Sequence, residues 1–213
     1  MLNEYQHISL SSSPIVGTSN QVWYSHLMKL FKTLLTILFI SLLSSPSWSV
    51  SLYDLVERED LYYEKFTDVP FNGKVTGNPQ GLIKNGVKEG VWVTYRDDGQ
   101  LEQKGNYKNG IAEGAWVSYW ENGQLSHKEN YKNGKAEGAW IGYYENGQLS
   151  YKGNYKNGVK EGAWVYYYEN GQLEEKGNLK NWSKEGAWVS YREDGTVDKG
   201  RTGTFKDDVK ISD

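Results

Sequence analysis

The chain has 213 residues, with 24 Lys+Arg against 27 Asp+Glu and a formal net charge of −3. A balance so near neutral gives no footing for nonspecific phosphate binding, so no nucleic-acid partner is expected. Cysteine is absent, which excludes disulfides and thiol catalysis.

Residues 1–27 are polar and irregular, unlike the rest of the chain, and read as a non-native or disordered extension ahead of a true start at Met28. From Met28 the chain has Lys29 and Lys32, then the apolar run Leu34-Leu-Thr-Ile-Leu-Phe-Ile-Ser-Leu-Leu43, then small residues at Ser47 and Ser49. A positive front, a short apolar core and a small-residue cut site before Val50 make residues 28–49 a signal peptide, helical in its apolar part. Export would leave 22 Lys+Arg and 26 Asp+Glu, a net charge of −4. The expected destination is the periplasm, the cell surface or the medium. The alternative is a short membrane anchor over residues 33–43, although a comfortable span needs about 20 residues.

Residues 50–80 form the lead-in. Val50 to Leu61 fits either one helical turn or a loose approach. Tyr62 to Phe66 reads as a strand, Thr67 to Pro70 as a turn and Phe71 to Val75 as a return strand. Pro70 cannot donate to a ladder and suits a turn or an edge. Residues 62–80 are thus expected to be an imperfect hairpin capping the amino-terminal end of a repeat array.

Residues 81–200 are that array. Trp92, Trp116, Trp140, Trp164 and Trp188 each follow the last by 24 residues, with the sequence between them repeated as well. A fixed period of this length marks one small unit stabilised by stacking on its neighbours. The 24 glycines, and the 31 aromatics set against 2 methionines, disfavour helix. One copy shows the pattern. Ala115 to Trp120 is a strand with Trp116, Ser118 and Trp120 on one face and Val117 and Tyr119 on the other. The turn Glu121-Asn-Gly123-Gln comes next, Asn-Gly being the strongest short hairpin signal. Leu125 to Tyr131 returns, with Leu125, His127, Glu129 and Tyr131 sharing a face. A second turn at Asn133-Gly134 leads through Lys135 to Gly138 into the next tryptophan. The predicted fold is all-β, an elongated single-layer antiparallel sheet of tandem hairpins. Ten strands at about 4.8 Å would give a ribbon roughly 45–50 Å long. Trp182 stands where other copies carry a turn glycine, so that turn must be built differently or carry strain. Residues 201–213 read as a closing strand, with Asp208 giving a charged edge that discourages further pairing.

Comparing copies separates structural from informative positions. Glu113, Gly114, Trp116, Tyr119 and Gly123 have identical counterparts in all five units. Every copy must solve the same packing problem, so Trp92, Trp116, Trp140, Trp164, Trp188 and Gly90, Gly114, Gly138, Gly162, Gly186 are structural. Tryptophan and tyrosine bury roughly 150–250 Å² each and can stack down a sheet. Three series vary: Arg96, Trp120, Tyr144, Tyr168, Arg192; Thr94, Ser118, Gly142, Tyr166, Ser190; and Gln103, His127, Tyr151, Glu175, Lys199. Packing would not admit arginine and tryptophan alike, so these side chains are expected to reach solvent. Aromatics in the middle copies and charges at the ends resemble an interface with an apolar centre and a polar rim. Its centre would be Trp120, Tyr144, Tyr151, Tyr166 and Tyr168. The competing reading is that these rings simply cover the sheet.

Catalysis has little support: His127 has no repeated partner, no phosphate loop or nucleophile motif occurs, and no metal or cofactor is implied. Glu113 and its equivalents read as turn chemistry. The motif Gly-Asn-Tyr-Lys-Asn-Gly-x-x-Glu-Gly-x-Trp-x-x-Tyr-x-x-Asn-Gly-Gln-Leu resembles the MORN-repeat superfamily, in the bacterial variant known from YwqK-family antitoxins. The resemblance covers about residues 62–210, with Leu61 to Gly77 similar to its lead-in unit. It implies an elongated ribbon of hairpins, scaffolding or lipid contact, and, through the antitoxin name, toxin binding. The expected function is an exported, non-enzymatic scaffold for a protein partner. A cell-wall or glycan binder and an antitoxin are the alternatives. The basic row Lys108, Lys132, Lys156, Lys180 keeps membrane lipid possible.

Overall fold

The computed structural model describes residues 28–29 and 50–213. The extension, the signal segment and the anchor over 33–43 therefore lie outside the described residues, Met28 and Lys29 excepted. Among the described residues no helix is long and apolar enough to cross a membrane.

Residues 50–213 are strands joined by short turns, with a single 3-10 turn at Leu52–Asp54. A 16-stranded sheet runs in sequence order from Val50–Ser51 to Val209–Ser212, beside a separate two-stranded sheet. Short turns force antiparallel neighbours, and the sole parallel pair among the described residues is Val50–Ser51 with Gly73–Thr76. The main path holds 14 strands in order, which at about 4.8 Å each extends roughly 60 Å. The ribbon exceeds the expected ten strands because both ends add their own.

Two kinds of turn alternate. At one edge lie two-residue turns such as Asn109-Gly110 and Asn133-Gly134, with φ of 50° and 79°, and 50° and 74°. Positive φ at both residues suits the right-handed twist of the flanking strands. Trp182 adopts the same geometry, at φ 74°, so this turn is built like the others and carries the strain. The repeated glutamate serves these turns: Glu89, Glu113 and Glu137 accept the N–H of Asn109, Asn133 and Asn157 at 2.8, 2.8 and 2.7 Å. At the other edge Glu121-Asn-Gly123 departs from the expected two-residue form. Trp120 N–H donates to Gln124 O at 2.8 Å and Gly123 N–H to Trp120 O at 3.0 Å. That is a three-residue loop in which only Gly123 has positive φ.

Strand alternation is broken twice per repeat, once beside the three-residue loop, as between Leu125 and His127, and once where the tryptophan is seated. Lys152 pairs with Val165 and Asn154 with Glu161, so Gly162, Ala163 and Trp164 together face Gly153. Gly162 takes φ 75° with nothing within 4 Å of a would-be Cβ, so its dihedral and not crowding requires glycine. The bulge lays the indole flat on the preceding strand. A Cβ on Gly105, Gly153 or Gly177 would come within 1.9, 2.2 and 2.2 Å of the rings of Trp116, Trp164 and Trp188. Rings then alternate along this face: Trp92–Tyr107 at 6.2 Å, Tyr107–Trp116 at 5.1 Å, Trp116–Tyr131 at 6.0 Å, Tyr131–Trp140 at 5.5 Å, Trp140–Tyr155 at 4.6 Å and Tyr155–Trp164 at 5.4 Å. Leu179, Trp188 and Phe205 continue the row.

Both ends differ from expectation. Leu61–Glu64 pairs along its length with Leu55–Arg58 and forms the separate small sheet; of the expected hairpin it keeps the bridge of Tyr63 with Pro70 and the bond from Phe71 N–H to Tyr62 O at 2.8 Å. Its turn is Glu59-Asp60, with φ of 50° and 62°, a residue pair that gives no turn signal in the sequence. This hairpin meets the first two-residue turn, where Tyr62 N–H donates to Gly86 O at 2.8 Å. Leu55 joins Phe71, Val75, Ile83 and Trp92 in a buried cluster, with Tyr62 against it. At the far end the expected single strand is a hairpin, Gly203–Lys206 with Val209–Ser212. The extra residues before it are taken up by a turn in which Asp198 accepts the N–H of Gly200 at 2.9 Å.

A Gly177→Ala substitution forces a methyl into the Trp188 ring. It is expected to cost about 1–3 kcal/mol in urea unfolding, typical of overpacking; unchanged stability would remove the indole from that position.

Candidate functional site

Two of the three varying series, Lys199 excepted, form one row across the sheet. Pairing runs Thr94–Gln103–Ser118–His127–Gly142–Tyr151–Tyr166–Glu175–Ser190 without interruption. The row lies on the tryptophan face, between the indoles and the three-residue loops. Ring contacts link Trp120 to His127 at 6.2 Å, His127 to Tyr151 at 6.2 Å and Tyr151 to Tyr166 at 6.4 Å. Tyr151 and Tyr166 also stack against Trp164, at 6.0 and 5.8 Å. Tyr151 settles over Gly142, where a Cβ would come within 2.4 Å of its ring. Three of the five sequence-derived contact residues, Trp120, Tyr151 and Tyr166, thus join through rings. His127 Nδ1 is engaged by the Ser126 hydroxyl.

The series Arg96, Trp120, Tyr144, Tyr168 answers to a constraint other than packing. Each side chain donates a hydrogen bond to the carbonyl that ends the next repeat's first strand. Arg96 Nη2 reaches Tyr119 O at 2.6 Å, Trp120 Nε1 reaches Tyr143 O at 2.9 Å, Tyr144 OH reaches Tyr167 O at 2.7 Å and Tyr168 OH reaches Tyr191 O at 2.8 Å. Guanidinium, indole and phenol share a donor at the right reach and little else. Arg192 closes the series on its own loop, at 3.3 Å from Thr196 Oγ1. All four donors are half-buried, each keeping some contact with solvent while its polar end is held by a carbonyl. Alongside them Asn122 and Asn146 bond the carbonyls of Glu145 at 2.6 Å and Glu169 at 2.8 Å.

The row ends in a polar cluster. Glu175, buried at 9% exposure, accepts from Lys184 Nζ at 2.8 Å, Arg201 Nη2 at 2.9 Å and Ser190 Oγ at 3.3 Å. Burial pushes the phenols of Tyr131 and Tyr151 up to about 12, with the charge of Glu129 adding to both. Tyr166 is raised further by burial and then by Glu175. These groups favour the fold below the ordinary tyrosine range, and that contribution is lost as pH rises through the shifted values.

One repeat breaks the packing rule. Glu129 occupies the position held by Gly81, Gly105, Gly153 and Gly177 in the others. Trp140, which would lie upon it, stays half-buried, while Trp92, Trp116, Trp164 and Trp188 are 4%, 7%, 0% and 1% exposed. Sequence reading groups Trp140 with the other four and passes over Glu129, although aligning the copies exposes the substitution. On the opposite face Lys108, Lys132, Lys156 and Lys180 are exposed. Among the described residues no group of three or more His, Cys, Asp or Glu could hold a metal ion.

A family model described as a MORN repeat variant matches residues 88–109, 112–133, 136–157 and 160–181. These matches support a MORN-repeat protein and a non-enzymatic type of repeat. No curated protein matches the chain. Among solved structures, the crystal structure of the GtfA/B complex bound to UDP and GlcNAc is similar at 16% identity with a TM-score of 0.17, covering 68% of this chain and 28% of that chain.

Tyr144→Phe keeps the ring and removes the donor to Tyr167 O. It is expected to cost about 1 kcal/mol, whereas Tyr144→Arg, which copies Arg96, should fall within about 0.5 kcal/mol of wild type. Equal losses in thermal melts would show that the donor is not what the position selects.

Proposed function

We propose that this chain of MORN-type repeats is an exported, non-enzymatic scaffold that holds a protein partner against the tryptophan face of its sheet. The observation carrying this reading is the uneven cover of that face. At the amino-terminal end Leu55 and Tyr62 pack on the cluster that holds Trp92. At the other end Trp182 stands edge-on to Tyr155 at 5.5 Å, and Arg201 and Lys184 close over Glu175. Between them Trp120, His127, Tyr131, Trp140, Tyr144 and Tyr151 are half-buried with no further layer above them among the described residues. Aromatic side chains of this kind, amphipathic and already ordered, anchor interfaces at low entropic cost. Repeats of this type elsewhere serve protein or membrane contact, and the varied row gives the chain its own specificity.

The double variant Trp120→Arg/Tyr144→Arg removes two aromatics and preserves both donors. Immobilised wild type and variant are compared for capture of cross-linked partners from the source cell, identified by mass spectrometry. The variant is expected to retain at least about tenfold less of the wild-type partner. Undiminished capture, or loss on Lys128→Glu/Lys152→Glu in its place, would move the interface to the other face. Capture of peptidoglycan or lipid alone would favour a wall or membrane ligand, and capture of a toxin would identify the partner as one.

Export is motivated by the charged, apolar and small-residue segments over 28–49. Protein purified from the source cell is expected to begin at Val50 in amino-terminal sequencing. A start at Met1 or Met28 would contradict export by cleavage.

A further inference from the structure

Three of the five repeats place their own ammonium group on the core indole. Lys88 Nζ stands 4.7 Å from the Trp92 ring centroid and 5.2 Å from that of Tyr107. Lys160 Nζ is 4.1 Å from Trp164, and Lys184 Nζ is 4.3 Å from Trp188 and 5.5 Å from Phe205. All three lysines lie four residues before their tryptophan. A cation over an indole face is attracted by the negative ring quadrupole, most strongly where water is displaced. Burial pushes the Lys88 and Lys160 ammonium groups below the ordinary lysine range, as expected where rings have replaced part of the water shell.

In the second and third repeats this lysine is absent. Its positions are Ala112 and Ala136, paired in the first case with Tyr107 and in the second with Tyr131. The rings that would receive the ammonium remain: Trp116 lies 6.0 Å from Tyr131, and Trp140 lies 4.6 Å from Tyr155 and 5.5 Å from Tyr131. A carboxylate stands among them. Glu129 pairs in register with Trp116, and its Oε2 accepts from Tyr131 OH at 3.1 Å. None of the ion pairs among the described residues involves Glu129. So the two repeats that lost their cation are the two that flank the added negative charge.

We propose that Trp116, Tyr131 and Trp140, with Glu129 beside them, form a receptor for a lysine side chain presented by the protein partner. The inference rests on the reading that this face binds a protein, and it names the group that face selects. The chain's own flanking repeats show the fit, a lysine ammonium held on the indole. Glu129 distinguishes a primary ammonium from a quaternary one, because only the former can donate hydrogen bonds to the carboxylate.

The test tracks the five core indole N–H signals of the full chain by NMR while Nα-acetyl-lysine methylamide is added at constant ionic strength. Nα-acetyl-norleucine methylamide and tetramethylammonium chloride serve as controls. Trp116 and Trp140 are expected to shift saturably with the lysine probe, with Trp164 and Trp188 unmoved because their own lysines occupy the site. Glu129→Gln should weaken the lysine response by about fivefold. The variant Ala112→Lys/Ala136→Lys copies the other repeats and should abolish the response while folding as wild type does. Equal shifts at every indole, no shift at any, a stronger response to tetramethylammonium, or a response surviving the double lysine variant would each overturn the proposal. If Trp120→Arg/Tyr144→Arg still abolishes partner capture while this titration fails, the face is the interface and the lysine receptor alone is refuted.

Discussion

An indole lying flat on the backbone of the strand before it is the contact on which this sheet depends. A single layer has no second layer to bury its apolar face, so each repeat must bury its tryptophan on its neighbour. Contact that close requires the neighbour to lack a side chain, which fixes glycine at 105, 153 and 177. It also requires the tryptophan strand to rise locally, which the bulge at Gly114, Gly162 and Gly186 provides through positive φ. The tyrosines between the indoles then meet them mostly edge-on, an arrangement that suits ring quadrupoles and leaves few gaps. Everything else in the repeat closes backbone groups that this arrangement leaves open. The glutamate caps the two-residue turn, and the loop-side donors cover the strand-end carbonyls.

Much of this is legible in the residues. The spacing of the tryptophans and the Asn-Gly pairs specifies tandem hairpins, because few residue pairs accept positive φ in succession. Glu113 and its copies are readable as turn chemistry from their identity in every unit. Simple alternation, by contrast, cannot reveal the bulge. Three residues facing one is a pairing fact, and Gly114 alone does not distinguish a bulge from a turn. The series Arg96, Trp120, Tyr144, Tyr168 misleads because hydrophobicity and size vary along it; only the shared donor is constant. The first hairpin is hidden for a related reason. Glu59-Asp60 adopts a turn conformation that asparagine and glycine would have announced.

For the candidate site, the sequence points to a strip of sheet that the structure shows to be continuous, and it misses the departures within that strip. Trp120, Tyr151 and Tyr166 do meet through rings, and the row from Thr94 to Ser190 is continuous. What distinguishes the middle of the array is a pair of departures visible only when copies are laid on the structure. Glu129 fills a glycine position beneath a Trp140 that stays half-buried, and Ala112 and Ala136 withdraw lysines that elsewhere sit on the indoles. A repeat protein whose copies all solve the same packing problem can place specificity only where the solution is relaxed. Here that relaxation falls at the centre of the array, while the ends are covered by the chain itself.

The most direct check on the central contact is the proton NMR shift of the glycine Hα atoms. An Hα beneath an indole face is shielded by the ring current. Gly105, Gly153 and Gly177 should each show one Hα resonance well upfield of those of Gly114, Gly162 and Gly186, which face no ring. If all six sets fall together in the ordinary strand range, the indoles do not lie on the preceding strand and this account of the fold is wrong.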